Sequence, residues 1–307
     1  MGILPIYKDV IVFSCLLSML STGLTLTYMT TRVPNFAHGG LAAVTTYVTL
    51  FVVKVMKVNP YLSLIPSFLI GGMLALILYL AALKPLLDRG ASYVTLMIAT
   101  IGYDMILYSM SNILADYLNS IYKIMTRLYI LRSYDLRIFN QPLIFFVAPI
   151  FSVSMIVFLH LLLTKTKFGI AMRAAIENPS LAEVVGINVN LTYAASWFIA
   201  GGLAGLTGAL LPLWILCNPD IGARLIVSIF AASIVGGLTN IYGAFIGGLL
   251  IGVAEVLGTG YLSLTLGTWV APYRPIIPLT IMVITLLIAP KGLTGVNLGF
   301  LRRFKEE

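Results

Sequence analysis

One acidic side chain stands in the middle of a long apolar run: Asp104, in the stretch ATIGYDMILY. A charge held at the centre of a bilayer costs about 2.5–3.5 kcal/mol on insertion scales, so it persists only beside a partner or a wetted cavity. Asp104 is therefore a candidate for a transport pathway, with pairing to a nearby hydroxyl such as Tyr103 as the structural alternative. Glu255, near the end of GGLLIGVAEVL, and His38, which follows Asn35 at the start of the second apolar run, complete the set of candidate pathway residues. His38 and Glu255 lie close to the ends of their runs, where snorkelling or a headgroup contact also accounts for a polar residue. Catalysis is not the chemistry these residues suggest. The chain contains no P-loop pattern, no HExxH, no GxSxG and no Cys/His cluster, and an intramembrane aspartyl enzyme needs a second aspartate facing the first. No catalytic residue, cofactor or metal site is expected.

The elements that hold these residues belong to a membrane. The 307 residues are 60% hydrophobic and 10% charged, with a mean hydropathy of +1.01, whereas soluble domains carry about 25% charged residues. The first run, Val10 to Thr30, covers about 31 Å as a helix, the thickness of the hydrocarbon core. It is too long for the apolar region of a signal peptide, and no small-residue cleavage site follows it. Apolar runs at 10–30, 36–53, 61–83, 93–115, 142–163, 191–216, 225–240, 241–258 and 274–290 predict an all-α polytopic bundle of about nine transmembrane helices, eight to ten being possible. The seventh and eighth are one stretch divided by the turn GGLTNIYG, and a tenth element is possible within 116–141. Gly201 and Gly205, Gly243 and Gly247, and Gly248 and Gly252 are each four apart, a spacing that lets helix backbones approach closely. The lone cysteines, Cys15 and Cys217, support neither a disulfide framework nor a metal site.

The net charge of +8 is spread over the connections between spans, which fits contact with lipid phosphates and not with nucleic acid. Basic residues divide ten to nine between the two sides when 164–190 is placed inside. Removing Lys123, Arg127, Arg132 and Arg137 of the 116–141 loop makes the division ten to five. The expected arrangement is a multi-pass protein of the cell membrane with its N-terminus outside and its C-terminus in the cytoplasm.

The charged interlude at 164–190, TKTKFGIAMRAAIENPSLAEVVGINVN, reads as two short helices. Phe168, Met172, Ala175 and Ile176 recur at helical spacing while Arg173 and Glu177 lie four apart on another face. Asn178 is placed to cap, Pro179 to occupy the first helical position and Gly186 to supply a left-handed stop. Leu181, Ala182, Val184 and Val185 are expected on one side of the second helix. Such a helix pair suits either a partner's groove or the membrane interface.

Five segments in order resemble the permease of branched-chain amino-acid ABC transporters, of the subtype with an NFAHG signature. They are GLTLTYMTTRVPNFAHGG at 23–40, ATIG at 99–102, TKFGIAMRAAIENPSLAEVVGINVN at 166–190, VGGLTNIYGAFIGGLLIGVAE at 235–255 and APKGLTG at 289–295. The resemblance implies an ABC importer permease fold filling residues 1–307 as a single transmembrane domain. It also implies two ATPase subunits that bind and hydrolyse ATP, a second homologous permease subunit and an extracytoplasmic substrate-binding protein delivering Leu, Ile or Val. It makes 164–190 the cytoplasmic coupling loop, with Phe168, Gly169, Arg173, Glu177, Leu181, Val185 and Gly186 as its contact residues. Two positions depart from the related permeases, which usually have Glu where Gly40 stands here and a small polar residue where Asp104 stands. The departures leave room for urea, short amides or another small polar solute as substrate. A stand-alone secondary transporter coupled through Asp104 or Glu255 is the reading from another class.

Overall fold

The computed structural model describes residues 3–295, so the basic residues expected in the C-terminal tail lie outside the described residues. Twelve α-helices are described: α1 (Ile3–Thr31), α2 (His38–Lys54), α3 (Leu64–Leu78), α4 (Lys84–Asp88), α5 (Tyr93–Tyr122), α6 (Ile144–Lys165), α7 (Lys167–Glu177), α8 (Pro179–Val184), α9 (Val189–Leu210), α10 (Ile221–Gly236), α11 (Ile241–Leu266) and α12 (Ile276–Ile288). All nine expected runs are helical, though not all are of full spanning length. Among the described residues, six helical segments are both long and apolar enough to cross a membrane: Ile6–Thr31, Pro60–Asp88, Tyr93–Tyr122, Ile144–Lys165, Val189–Leu213 and Ile241–Leu266. Helices α2, α10 and α12 have 17, 16 and 13 residues.

Small residues set the closest seams, as their spacing predicts. Gly201 and Gly205 of α9 lie against the backbone of Gly71 and Ser67 around α3, Gly243 and Gly247 of α11 against Gly236 and Ala232 of α10, and Gly248 and Gly252 of α11 against Ser18 and Ser14 of α1. A side chain at any of these glycines would meet the facing helix. Helix α1 is thereby wrapped on nearly all sides, and Leu16, Met19, Leu20, Leu24 and Leu26 are fully buried.

The 116–141 segment folds as a small element on the bundle. Helix α5 runs on to Tyr122, and a two-stranded antiparallel hairpin, β1 (Arg137–Ile138) with β2 (Gln141–Pro142), follows. Tyr129 exchanges backbone hydrogen bonds with Cys217, and its hydroxyl donates to Thr46 Oγ1 at 2.7 Å. Two of the basic residues that disturbed the charge count are engaged locally, Arg127 with Asp116 at 2.8 Å and Arg132 over the Trp214 ring at 4.1 Å. Lys8 donates to Gln141, Lys54 to the Tyr134 hydroxyl and Tyr61 to Asp135. The start of α1, the end of α2 and this element therefore share one end of the bundle. The 164–190 interlude lies at the other, where the Tyr193 hydroxyl of α9 donates to the Ala175 carbonyl.

Candidate functional site

The first polar site is built by a helix that begins inside the bundle. Arg32, with φ 56°, ends α1 and turns the chain back inward, so that Val33, Asn35 and Ala37 are fully buried. Asn35 Oδ1 accepts the Ala37 N–H at 3.1 Å, and His38 opens α2. The His38 ring fits the notch left by Gly23, whose missing Cβ would lie 3.0 Å from Nε2. Gly23 is eight residues from the end of α1, so α2 starts about 12 Å below that end. The expectation that His38 sits near a span end, within reach of headgroups, is corrected: it is fully buried.

A second half-length helix meets the first. Gly39 and Gly222 face each other so closely that a Cβ on either would run into the other's carbonyl oxygen. Helix α2 leaves this point toward one end of the bundle, and α10 leaves toward the other, closing beside Gly243 of α11. Two helix N-termini thus converge at the middle of the fold. Their exposed N–H groups and dipoles favour negative charge there, the arrangement by which broken helices form sites inside membranes. Sequence reasoning missed Gly39, Gly222 and the α10 half of this junction. The signal was present as a repeated pattern, Asn35-x-x-x-Gly39 and Asn218-x-x-x-Gly222.

Asp104 joins this junction from α5. Its carboxylate lies directly against Gly40, whose backbone N–H is in the first turn of α2, where the helix itself leaves such groups free. A Cβ at position 40 would collide with Asp104 Oδ1, so the acid depends on the glycine. Tyr103 is not its partner, because that hydroxyl donates to the Leu74 carbonyl at 2.8 Å. A cavity of about 120 Å³ opens here, lined by Gly40, Ala43, Asp104, Met105, Tyr108 and residues 219, 222 and 223. Asn35, His38 and Asp104 thus all lie at the start of α2, but His38 faces α1 at Gly23 while Asp104 meets the helix at Gly40, and neither Asn35 nor His38 lines the cavity beside Asp104.

Glu255 stands apart. It is 3% exposed on α11 and pairs with Arg274 at 2.5 Å, and Arg274 stacks over Phe13 at 4.2 Å. The pair forms part of the wall of a wider cavity of about 960 Å³, which also touches Asp9, Arg132 and Trp214. Snorkelling does not explain Glu255, because its carboxylate is held within the protein by a neighbouring cation.

The 164–190 interlude folds as its residues predict. Thr166 caps α7, its hydroxyl accepting the Gly169 N–H at 3.1 Å, and Asn178 caps α8 by accepting the Leu181 N–H at 3.0 Å. Pro179 takes the first position of α8, and Gly186 has φ 87°. Met172 and Ala175 face the bundle, and Phe168 packs among partly buried side chains beside them. Gly169 is buried against the Leu162 and Leu163 carbonyls, so it permits the sharp turn from α6 into α7. Ala182 also points inward, against Ala175 and Val189, and does not share a face with Leu181 as expected. Leu181, Val184 and Val185 are 60%, 81% and 68% exposed, with Arg173, Glu177 and Gly186 exposed beside them. Among the described residues Arg173 and Glu177 form no ion pair with each other. An apolar tip is thus carried on a firmly seated base.

Comparison with known proteins places these features in a family. The family described as branched-chain amino acid transport system / permease component matches residues 6–286. A probable branched-chain amino acid transport permease protein LivH of Methanocaldococcus jannaschii is 47% identical over 298 residues, covering 97% of this chain and 94% of that protein. The high-affinity branched-chain amino acid transport system permease protein LivH of Salmonella typhimurium is 26% identical over 290 residues, covering 91% of each. Among solved structures, PsaBC from Streptococcus pneumoniae in complex with Fab shares the fold, with a TM-score of 0.52 at 12% identity over 93% of this chain and 92% of that one.

Proposed function

The chain belongs to the branched-chain amino acid transport permease family, a membrane permease component and not itself a catalytic enzyme, and from that premise we propose that it carries Leu, Ile or Val across the cell membrane. In this reading residues 1–307 act as one transmembrane permease domain. It pairs with a second homologous permease, two ATPase subunits that hydrolyse ATP, and an extracytoplasmic binding protein that delivers the amino acid. The N-terminus lies outside and the C-terminus in the cytoplasm.

The observation that carries the importer reading over a stand-alone transporter is the α7–α8 tip. Exposed apolar side chains on a capped helix pair, braced from behind by Met172, Ala175 and Ala182, suit insertion into a groove of an ATPase. Motion of that partner would reach the bundle through α7, which is seated beside α1 and α9. The α2–α10 junction supplies the pathway end of the coupling, with Asn35, His38 and Asp104 around a point where two helices can part without breaking a continuous span. Glu255 and Arg274 border the vestibule on the extracytoplasmic side.

Reconstitution tests this reading. Proteoliposomes holding the chain with its partner permease and both ATPases should accumulate labelled leucine only with ATP and the binding protein present. Leucine uptake driven by an ion gradient without the ATPases would return the chain to the secondary-transporter class.

A further inference from the structure

We propose that Asp104 is the residue that recognises the ammonium group of the substrate beside the α2–α10 junction, and that the cavity next to it takes the substrate's small apolar body. The inference rests on the importer reading above and adds to it a chemical class and a subsite.

The cavity of about 120 Å³ carries one charged group, the Asp104 carboxylate. The rest of its wall is apolar or neutral: Ala43, Met105, Pro219, the glycines of the junction and the Tyr108 ring. No lysine, arginine or histidine lines it, so the carboxylate has no cation of the protein's own there. The first turn of α2, at Gly40, is the backbone its carboxylate faces. A carboxylate at this depth calls for positive charge or water, and a ligand ammonium supplies the first directly. The aliphatic wall then removes a short hydrocarbon chain from water, worth about 25 cal/mol per Å² of apolar surface. Tyr108 and Met105 lie on the exposed side of α5, so the cavity opens where that helix is not covered by its own chain. Neutral amides gain little from such a site, since nothing in it rewards the absence of charge.

The glycine at position 40 makes the subsite possible. A Cβ there would run into Asp104 Oδ1, so the two positions cannot both carry a side chain reaching this point. Moving the acid to α2 is therefore a designed control: Gly40→Glu combined with Asp104→Ser removes the carboxylate from α5 and supplies one from the facing position on α2.

Binding to the full-length permease in lipid nanodiscs, followed by saturation-transfer NMR, provides the test. The probes are L-leucine, 3-methylbutylamine, which lacks the carboxylate, and 4-methylpentanoate, which lacks the ammonium. Wild-type protein should bind the first two at least tenfold more tightly than the third. Asp104→Asn should lose that preference, and the Gly40→Glu/Asp104→Ser protein should regain it. Equal binding of 4-methylpentanoate and L-leucine to the wild type, saturable amine binding that survives Asp104→Asn, or no saturable binding of either ammonium probe would each overturn the assignment. Leucine uptake by the whole transporter is scored separately. Uptake without an ammonium preference in the chain retires the role of Asp104 alone, whereas an amine preference without uptake of Leu, Ile or Val retires the importer's substrate and leaves the subsite standing.

Discussion

Gly40 and Asp104 are one feature seen at two positions. Adding a methyl group at 40 drives it into the Asp104 carboxylate, and overpacking of this kind typically costs about 1–3 kcal/mol. Gly40→Ala should therefore lower the thermal stability of the detergent-solubilised chain, and Gly40→Ala/Asp104→Ser should recover most of the loss. Additive effects of the two changes would show that the side chains do not meet. In the sequence these positions read as separate departures from the family pattern, since nothing in one dimension says that residue 104 folds onto residue 40. Asp104 itself was legible, because a lone acid in an apolar run has few explanations. Burial makes a second residue-scale prediction. Cys15 and Cys217 are both buried, and burial also pushes the Cys217 thiol well above its usual range. Neither should react with a maleimide in the native membrane, while both should react after denaturation. Rapid native labelling would contradict the packing of Cys217 against Tyr129.

At the scale of elements, hydropathy found every expected apolar helix, and three of them, α2, α10 and α12, are shorter than a full span. It reports how apolar a run is and not where the run begins in depth. Helices α2 and α10 start in the middle because Arg32–Ala37 and the segment around Asn218 re-enter the bundle. Asn35 Oδ1 is served by the Ala37 N–H, while Asn35 Nδ2, Asn218 Oδ1 and both His38 ring nitrogens are buried without a protein partner among the described residues. The α7–α8 pair was readable almost residue by residue, since caps and a left-handed glycine depend on local chemistry. The inward turn of Ala182 was not, because it depends on Ala175 and Val189. Gly169 gives this scale its prediction. With its α-carbon pressed on the Leu162 and Leu163 carbonyls, Gly169→Val must open the α6–α7 turn and displace the tip. ATP hydrolysis by the assembled transporter should then lose its stimulation by loaded binding protein while the permease remains in the membrane. Undiminished stimulation would mean that the tip's position does not depend on this turn.

For the whole molecule, the decisive relation is between the two ends of the bundle. A cysteine at Asn140, in the hairpin beside the start of α1, should be labelled by an impermeant reagent in intact cells, and one at Ser180, on α8, should be protected. Labelling of the second and not the first would invert the proposed orientation. Seating of the α7–α8 tip in an ATPase groove remains the central claim, and buried anchors in such grooves typically lose 2 kcal/mol or more when disrupted, with 1.4 kcal/mol equal to one decade of affinity. The most direct measurement is recovery of the ATPase subunits with affinity-purified permease in detergent, where attachment of the loop to lipid plays no part. Leu181→Asp should reduce that recovery at least about tenfold in affinity terms, with Arg173→Ala doing less because a rim charge acts mainly on association rate. Equal recovery of ATPase by wild-type and Leu181→Asp permease would contradict the account.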